Sequence, residues 1–224
     1  MSLIKATDLT IGYGNVAVAE HIDFEVNKGD YLCIVGENGV GKTSIINRYI
    51  NNEFTPETEN VTLGSNCFQK DIKKNKDIYR MRIWDTTGQE KFHCVTQLFI
   101  KGSNIVLLVY SVDSIESFQK LTYWYDSMKE FLEEGKYILC IVANKNDLEE
   151  ESVVTEEEGK KYAEEKNAIF KSVSAKEGGD CINNLFDKLI DELIKIDYVS
   201  ITKSYRLQKK HVKGKKKDKH RSTC

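Results

Sequence analysis

The sequence has one proline and 14 glycines in 224 residues, which excludes collagen-like and proline-rich chains. It also lacks long apolar runs. The longest, Ile105–Tyr110 and Tyr137–Ala143, contain six and seven residues, far fewer than the ~20 that a membrane-spanning helix needs. The first residues carry neither the basic nor the apolar region of a signal peptide. We therefore expect a cytoplasmic protein without a membrane-spanning segment.

The cysteines are few and scattered, and no two of them form a C-x-x-C pair of the kind found in zinc sites. Hydrophobic residues make up 40% of the chain, which is enough for a substantial core. In a reducing compartment, scattered cysteines are typical of buried free thiols. The six are Cys33, Cys67, Cys94, Cys140, Cys181 and Cys224.

The charges are unevenly distributed along the chain. The 33 Lys and Arg residues almost balance the 35 Asp and Glu residues, so the net charge is −2. Residues 203–224 contain ten basic residues and one acidic residue, which places +9 on this segment and −11 on residues 1–202. A basic segment without apolar periodicity is typical of a disordered arm with an anionic partner. A membrane surface and a nucleic acid are both anionic, so either could be this partner.

Short apolar runs alternate with amphipathic segments over most of the chain. The runs Tyr31–Val35, Asn104–Tyr110 and Tyr137–Ala143 are bounded by polar residues, as buried parallel strands are. The alternation of strand and helix predicts an α/β fold with a doubly wound, mostly parallel sheet. The predicted helices are Ser44–Tyr49, Ile115–Phe131, Thr155–Lys166 and Ile182–Ile196.

Two local patterns refine this prediction. Phe68–Ile72 and Tyr79–Trp84 flank a short polar stretch, which is typical of a β-hairpin. Thr155 and Glu158 have the spacing of a capping box, in which each side chain bonds the backbone of the other residue. We therefore expect an antiparallel hairpin beside the parallel strands and a well-defined start for the third helix.

A glycine-rich motif follows the first of these strands. Gly36-Glu37-Asn38-Gly39-Val40-Gly41-Lys42-Thr43 satisfies G-x-x-x-x-G-K-[ST] and lies between a strand and a helix, as a P-loop NTPase requires. Its backbone N–H groups can surround phosphate oxygens, Lys42 can reach the β- and γ-phosphates, and the Thr43 hydroxyl can ligate Mg²⁺. The predicted phosphate-binding residues are Asn38, Gly39, Val40, Gly41, Lys42, Thr43 and Ser44.

Further motifs follow in a fixed order along the chain. They are Thr62-Leu63-Gly64, Trp84-Asp85-Thr86-Thr87-Gly88-Gln89-Glu90, Asn144-Lys145-Asn146-Asp147 and Ser174-Ala175-Lys176. Together with the P-loop, they resemble the motifs of Ras-like small GTPases, and those of the Rab group most closely, over residues 31–197. The resemblance implies a molecular switch that binds GTP or GDP with Mg²⁺ and hydrolyses GTP.

The resemblance also assigns roles at the phosphate end of the site. Thr43, Thr62 and Asp85 would hold Mg²⁺, the last through water. Thr62 and Gly88 would donate backbone N–H groups to the γ-phosphate, and Gln89 would orient the attacking water. The predicted catalytic groups are therefore Lys42, Thr62, Gly88 and Gln89.

The last two motifs predict the base that is bound. By resemblance, guanine would contact Asn144, Lys145, Asp147, Ser174, Ala175 and Lys176, with Phe54 against its ring. A carboxylate at Asp147 can accept hydrogen bonds from both guanine donors, N1–H and the N2 amino group. Adenine offers an acceptor where one of these donors should be, and such a mismatch at a buried polar group costs ~10⁴ in discrimination. The site should therefore select guanine.

Membership of the Rab group would imply a role in vesicle or membrane trafficking. An exchange factor, a GTPase-activating protein and effectors would be its protein partners. The basic tail would then bind an anionic membrane surface, on the cytosolic face, rather than a specific nucleic acid. Rab-like proteins usually end in two prenylated cysteines, whereas this chain ends in Cys224 alone, which leaves its prenylation open.

Two departures leave alternatives open. Thr87 and Asn38 replace smaller residues of the family near the γ-phosphate, so a nucleotide-binding scaffold with negligible turnover is the second hypothesis. Residues 1–30 lie outside the small-GTPase resemblance and look like the β-subdomain of an ABC-type ATPase, in which an aromatic such as Tyr13 stacks on adenine. No Leu-Ser-Gly-Gly-Gln signature occurs, so an ABC-like ATP-binding module is a distant third hypothesis.

These observations predict three parts of the chain. Residues 1–30 would form an amino-terminal β-hairpin extension, residues 31–197 the small-GTPase domain, and residues 198–224 the basic tail. Whether the extension is a natural fusion, a chimera or artificial stays open at this point.

Overall fold

A computed structural model describes residues 2–13, 16–27, 30–55, 66–74, 77–86, 100–132 and 135–196. Eight strands lie in these ranges, and the apolar runs predicted as strands are among them. The strands are β1 (Ser2–Tyr13), β2 (Val16–Asn27), β3 (Asp30–Val35), β4 (Asn66–Lys74), β5 (Asp77–Asp85), β6 (Ile105–Ser111), β7 (Ile138–Asn144) and β8 (Ile169–Ser172).

The helices of the described residues lie between consecutive strands of the main sheet, except for the last one, which follows the final strand. They are α1 (Lys42–Asn51), α2 (Ile115–Gln119), α3 (Leu121–Met128), α4 (Glu156–Glu165) and α5 (residues 180–196). Short 3₁₀ turns occupy Lys129–Phe131 and Glu149–Glu151. No helix of the described ranges is both long enough and apolar enough to cross a membrane.

Six strands form the main sheet, in the spatial order β4-β5-β3-β6-β7-β8. β3, β5, β6, β7 and β8 run parallel, and only β4 pairs antiparallel, with β5. The order reverses direction on either side of β3, as in a doubly wound sheet. The predicted α/β class and the predicted hairpin are therefore confirmed. β1 and β2 form a separate antiparallel pair, as the predicted extension requires.

Alternate residues of the central strands enter two different cores. Ile34, Leu107 and Val142 pack on one face of the sheet with α1 and α5, whereas their neighbours pack on the other face with α3. This two-sided burial explains why β6 and β7 are apolar at every position except the last. Stacked rings of Tyr49 and Phe186, with centroids 3.7 Å apart, join α1 to α5.

The long helix predicted over Ile115–Phe131 is wrong as one element. It is divided into α2, α3 and a 3₁₀ turn. Lys120 lies at the first break with ψ of −11°, much flatter than the value near −42° of an α-helix. Ser114 caps α2 by accepting a hydrogen bond from the Ser117 N–H. The amphipathic pattern persists across the break, which is why periodicity alone does not reveal it.

The described cysteines agree only in part with the expectation of buried free thiols. Cys33 and Cys140 are free and buried, Cys181 is half-buried, and Cys67 is exposed. Cys67 lies on β4, the edge strand of the sheet, where much of the strand faces solvent. Burial raises the pKa of the Cys140 thiol to about 12 and also raises that of Cys33, so both core thiols are unreactive. Cys94 and Cys224 lie outside the described residues.

The predicted capping box is present at the start of α4. Thr155 Oγ1 accepts the Glu158 N–H at 3.3 Å, and Glu158 Oε2 accepts the Thr155 N–H at 2.8 Å. The hydrogen bond from the Thr155 N–H, and after it one from the Thr155 hydroxyl to Glu158 Oε2 at 2.8 Å, lower the pKa of Glu158. Both residues are exposed, so the box acts locally on the helix terminus.

Loss of this cap should destabilise the fold measurably. Thr155→Ala removes an acceptor for a helix N–H, and we expect the free energy of unfolding in urea to fall by about 1 kcal/mol. Glu164→Ala, at an exposed position near the other end of α4, is the matched control and should change it by less than about 0.5 kcal/mol. Equal effects of the two variants would contradict a capping role.

Candidate functional site

Within the described residues, parts of four predicted motifs meet at one edge of the sheet. The P-loop follows β3, Asp85 ends β5, Asn144 ends β7, and Ser174 follows β8. Because these strands are parallel, their carboxyl ends lie at the same edge, where ligands of doubly wound sheets bind. The topology therefore gathers residues that are up to 138 positions apart in sequence, from Gly36 to Ser174.

The P-loop is compact and internally bonded. The Lys42 Nζ donates hydrogen bonds to the carbonyl oxygens of Gly36 at 2.8 Å and Glu37 at 2.6 Å. Its side chain is buried although charged. Gly36 permits this loop because a Cβ there would lie 2.3 Å from the Val109 carbonyl oxygen. The loop therefore holds the ammonium of Lys42 at its centre, as a phosphate-binding lysine requires.

A short hydrogen bond connects the start of α1 to the end of β5. Thr43 Oγ1 donates to Asp85 Oδ2 at 2.6 Å. The next residue, Thr86, donates from Oγ1 to the Ile34 carbonyl oxygen at 2.7 Å. Asp85 and Thr86 are both fully buried. The two predicted metal-ligating groups of this region are therefore adjacent.

These two groups fit the predicted Mg²⁺. A threonine hydroxyl and a carboxylate are hard oxygen donors, and Mg²⁺ is usually held by one or two carboxylates together with phosphate oxygens and waters. Thr62, the third predicted ligand, lies outside the described residues. So do the predicted catalytic residues Gly88 and Gln89, and Thr87 between Asp85 and Gly88.

The side chain of Asn144 joins three of the motifs. Its Nδ2 donates to the Val40 carbonyl oxygen in the P-loop at 2.8 Å, and its Oδ1 accepts from the Ala175 N–H at 3.2 Å. Only 1% of Asn144 is exposed. Gly41 has a φ of 86°, and a Cβ on it would lie 2.2 Å from Asn144 Nδ2. Both its backbone angle and this close approach therefore favour glycine.

The Asp147 carboxylate is oriented by two neighbours from the last motif. Ser174 Oγ donates to Asp147 Oδ1 at 2.6 Å, and the Lys176 Nζ lies 3.5 Å from Oδ2. The Asp147 side chain is only 8% exposed. Ser174 also accepts the Glu177 N–H at 3.0 Å, which fixes its hydroxyl as a donor to the carboxylate. Lys145 pairs with Asp113 at 3.6 Å on the other side of the loop.

A cavity of about 330 Å³ lies between these loops. It has the size of a small-ligand site. Most of the predicted base-contacting residues line it, and Ser174 supports the wall through Asp147. The lining residues are Gly41, Ser44, Phe54, Asn144, Lys145, Asp147, Leu148, Ala175 and Lys176.

Two residues of this region were missed by the sequence analysis. Leu148 lines the cavity directly. Arg48 of α1 donates to the carbonyl oxygens of Ala175 at 3.0 Å and Lys176 at 2.9 Å, and lies 6.0 Å from the Phe54 ring centroid. These contacts join residues more than 120 positions apart, and no local motif marks Arg48.

Comparison with known proteins gives a consistent result. The family model described as the Ras family matches residues 31–195. Ras-related protein Rab-17 of Mus musculus is 36% identical over 163 residues, covering 73% of this chain and 75% of the relative. Ras-related protein RabC of Dictyostelium discoideum is 35% identical, with 72% and 82% covered. Ras-related protein Rab-18 of Caenorhabditis elegans is 36% identical, with 73% and 79% covered.

The oriented carboxylate makes base selection testable. Asp147→Asn replaces one acceptor oxygen by an amide donor, which opposes the guanine N2 amino group but suits the C2 carbonyl of xanthine. We expect GTP affinity to fall by about 100-fold or more, since two charge-assisted hydrogen bonds are disturbed, and XTP affinity to rise. Competition binding against a labelled nucleotide measures both.

Asp126→Asn is the control for this variant. Asp126 is an exposed carboxylate of α3 that pairs with Lys129 and does not line the cavity. It should leave both affinities unchanged. Retention of full GTP affinity by Asp147→Asn, without a gain for XTP, would contradict the assignment of the base site.

Proposed function

Because the chain belongs to the Ras family of small GTPases and hydrolyses GTP to GDP and phosphate, we propose that it is a Rab-type switch in membrane or vesicle trafficking. In this proposal, the surface presented to partners depends on whether GTP or GDP is bound. Its partners would be an exchange factor, a GTPase-activating protein and effectors.

The observation that carries this proposal is the Asp147 carboxylate in the cavity wall. Ser174 occupies one lone pair of Oδ1 and Lys176 lies beside Oδ2, and the remaining lone pairs are available to N1–H and the N2 amino group of guanine. Phe54 would cover one face of the ring, and Lys145 would extend along the other side. Asn144 would hold the two base-binding loops against the P-loop.

At the phosphate end, we propose that backbone N–H groups of residues 38–44 surround the phosphates while Lys42 neutralises the β- and γ-phosphate charge. Mg²⁺, when bound at Thr43, Asp85 and Thr62, would neutralise charge that develops on the phosphate oxygens. Gln89 would orient the attacking water, and the N–H groups of Thr62 and Gly88 would hold the γ-phosphate.

The two other hypotheses from the sequence have less support. The ABC-like module requires an adenine site, whereas the described cavity presents a buried carboxylate suited to guanine donors. The scaffold hypothesis depends on Asn38 and Thr87, but family membership favours turnover. We therefore retain these two residues as modifiers of the hydrolysis rate.

Single-turnover hydrolysis tests the proposed catalytic role of Gln89. Gln89→Leu removes the amide that would orient water, and we expect the rate constant to fall about tenfold or more with little change in GTP affinity. Gln119→Leu is the matched control because Gln119 is exposed on α2, outside the site. A Gln89→Leu rate equal to that of the unmodified protein would remove Gln89 from the mechanism.

We further propose that the basic tail brings the protein to the cytosolic face of anionic membranes. Each of its ten Lys and Arg residues can contribute about 1 kcal/mol beside an anionic leaflet. A lipid on Cys224 would add a second signal, and one lipid chain alone anchors only marginally. In this proposal charge provides the attraction, whether or not Cys224 is prenylated.

Co-sedimentation with vesicles tests the tail. The unmodified protein should bind phosphatidylserine-containing vesicles at low salt, lose most of this binding at high salt, and bind neutral vesicles weakly, because the attraction is electrostatic and screened. A variant that ends at Ser200 should bind neither. Binding that ignores lipid charge, salt and truncation would exclude the tail from membrane attachment.

A further inference from the structure

Glu37, an unspecified position of the P-loop motif, makes a specific contact with α3. The Trp124 Nε1–H donates to Glu37 Oε1 at 3.2 Å, and the Lys120 Nζ lies 3.3 Å from Oε2. The Glu37 side chain is only 19% exposed, and Trp124 is almost fully buried. Both oxygens of one carboxylate are therefore held, one by Trp124 of α3 and the other by Lys120 at the N-cap of α3, more than 80 positions further along the chain.

The backbone of the same residue contacts the phosphate-binding lysine. The Glu37 carbonyl oxygen accepts a hydrogen bond from the Lys42 Nζ at 2.6 Å, beside that of Gly36. A side chain that is fixed at both oxygens restricts the rotation of its own backbone. The contact with α3 therefore reaches the ammonium of Lys42 through a single residue.

We propose that Glu37 is a positioning residue of the phosphate site, whose carboxylate is held by Trp124 and Lys120 so that the P-loop backbone and Lys42 stay in the phosphate-binding conformation. This inference rests on the proposed nucleotide site. Its physical basis is preorganisation: a loop that is already ordered loses less conformational freedom when the ligand binds. The break between α2 and α3 occurs at Lys120 itself.

The charge of Glu37 and its positioning role predict opposite changes in nucleotide binding, so an experiment can distinguish them. A carboxylate near phosphate groups repels them, so neutralising Glu37 would strengthen nucleotide binding if its charge were all that mattered. If Glu37 positions the loop, neutralising it weakens binding instead. The sign of the change therefore separates the two effects.

The experiment measures GDP dissociation from the full chain in excess Mg²⁺, with a fluorescent GDP and excess unlabelled GDP. Glu37→Gln and Lys120→Met should each raise the rate constant about tenfold, since each removes a charge-assisted contact. The double variant should be no faster than the faster single variant, because both changes break one interaction.

Glu116→Gln is the matched control. Glu116 is 77% exposed and lies 3.6 Å from the same Lys120 ammonium, but it belongs to α2 and not to the P-loop. It should leave GDP dissociation unchanged. An equal effect of Glu116→Gln and Glu37→Gln would assign the change to the lysine's general environment and overturn the inference.

A second readout separates positioning from a loosened site. Inosine diphosphate lacks the N2 amino group, so the ratio of its dissociation rate constant to that of GDP reports the base site around Asp147. Glu37→Gln should raise both rate constants and keep this ratio, because only the phosphate loop is affected. A ratio that falls towards one would show a general loss of structure and contradict a positioning role.

The remaining outcomes are also informative. If the unmodified protein binds no guanine nucleotide, the proposed function itself fails. If it binds GDP and Glu37→Gln releases GDP at the same rate or more slowly, only the positioning role is overturned. Urea unfolding of each variant verifies that the protein compared is folded, and Glu37→Gln, at a partly exposed site, keeps the test available if Lys120→Met is unstable.

Discussion

The amide side chain of Asn144 is the interaction on which the geometry of the site depends. It is buried, and it bonds the P-loop through Val40 and the last motif through Ala175. An amide carries both a donor and an acceptor, so one side chain can satisfy a carbonyl on one loop and an N–H on another. A carboxylate would lack the donor and leave the Val40 carbonyl without its partner, at a cost of about 1–3 kcal/mol.

This constraint also explains why the neighbouring residues are small. Gly41 approaches Asn144 so closely that any side chain would displace the amide. Ala175 presents its N–H to the same amide while Arg48 holds its carbonyl oxygen. The base-binding loop is therefore fixed on both sides, once through the P-loop and once through α1. Under the proposed function, a rigid wall of this kind would allow Asp147 to discriminate between bases, since discrimination depends on unpaired groups having no room to rearrange.

The parts that could be predicted from the sequence are those set by local patterns. β6 and β7 follow from apolar runs, the start of α4 from the spacing of Thr155 and Glu158, and the phosphate loop from its glycines and Lys42. The break at Lys120 could not be predicted, because the amphipathic period continues through it. The exposure of Cys67 could not be predicted either, because it depends on which strand lies at the sheet edge.

The residues that support the site were missed for the same reason. Arg48, Glu37 and Trp124 act through contacts between distant segments, and each is an ordinary helix or loop residue when its own neighbourhood is considered alone. The residues that we propose to contact the ligand belong to motifs with a recognisable spacing. The residues that support the motifs need only to contact them. Different side chains at different positions can make such contacts. Residues proposed to act on a ligand are therefore easier to identify from a sequence than the residues that position them.

The phosphate end adds a constraint on how a switch can work in this fold. Asp85 bonds Thr43 of α1, and Thr86 bonds the backbone of β3 at Ile34. The chain that leads to Gly88 and Gln89 therefore starts from Asp85 and Thr86, which are both buried and hydrogen-bonded. Asp85 and its partner Thr43 are both predicted metal ligands. A conformational change that begins beyond Thr86 has a fixed origin on the sheet. Because Asp85 is bonded to Thr43 of the P-loop helix, we expect a change in the contacts of Thr43 to act directly on the point from which the chain continues to Gly88 and Gln89.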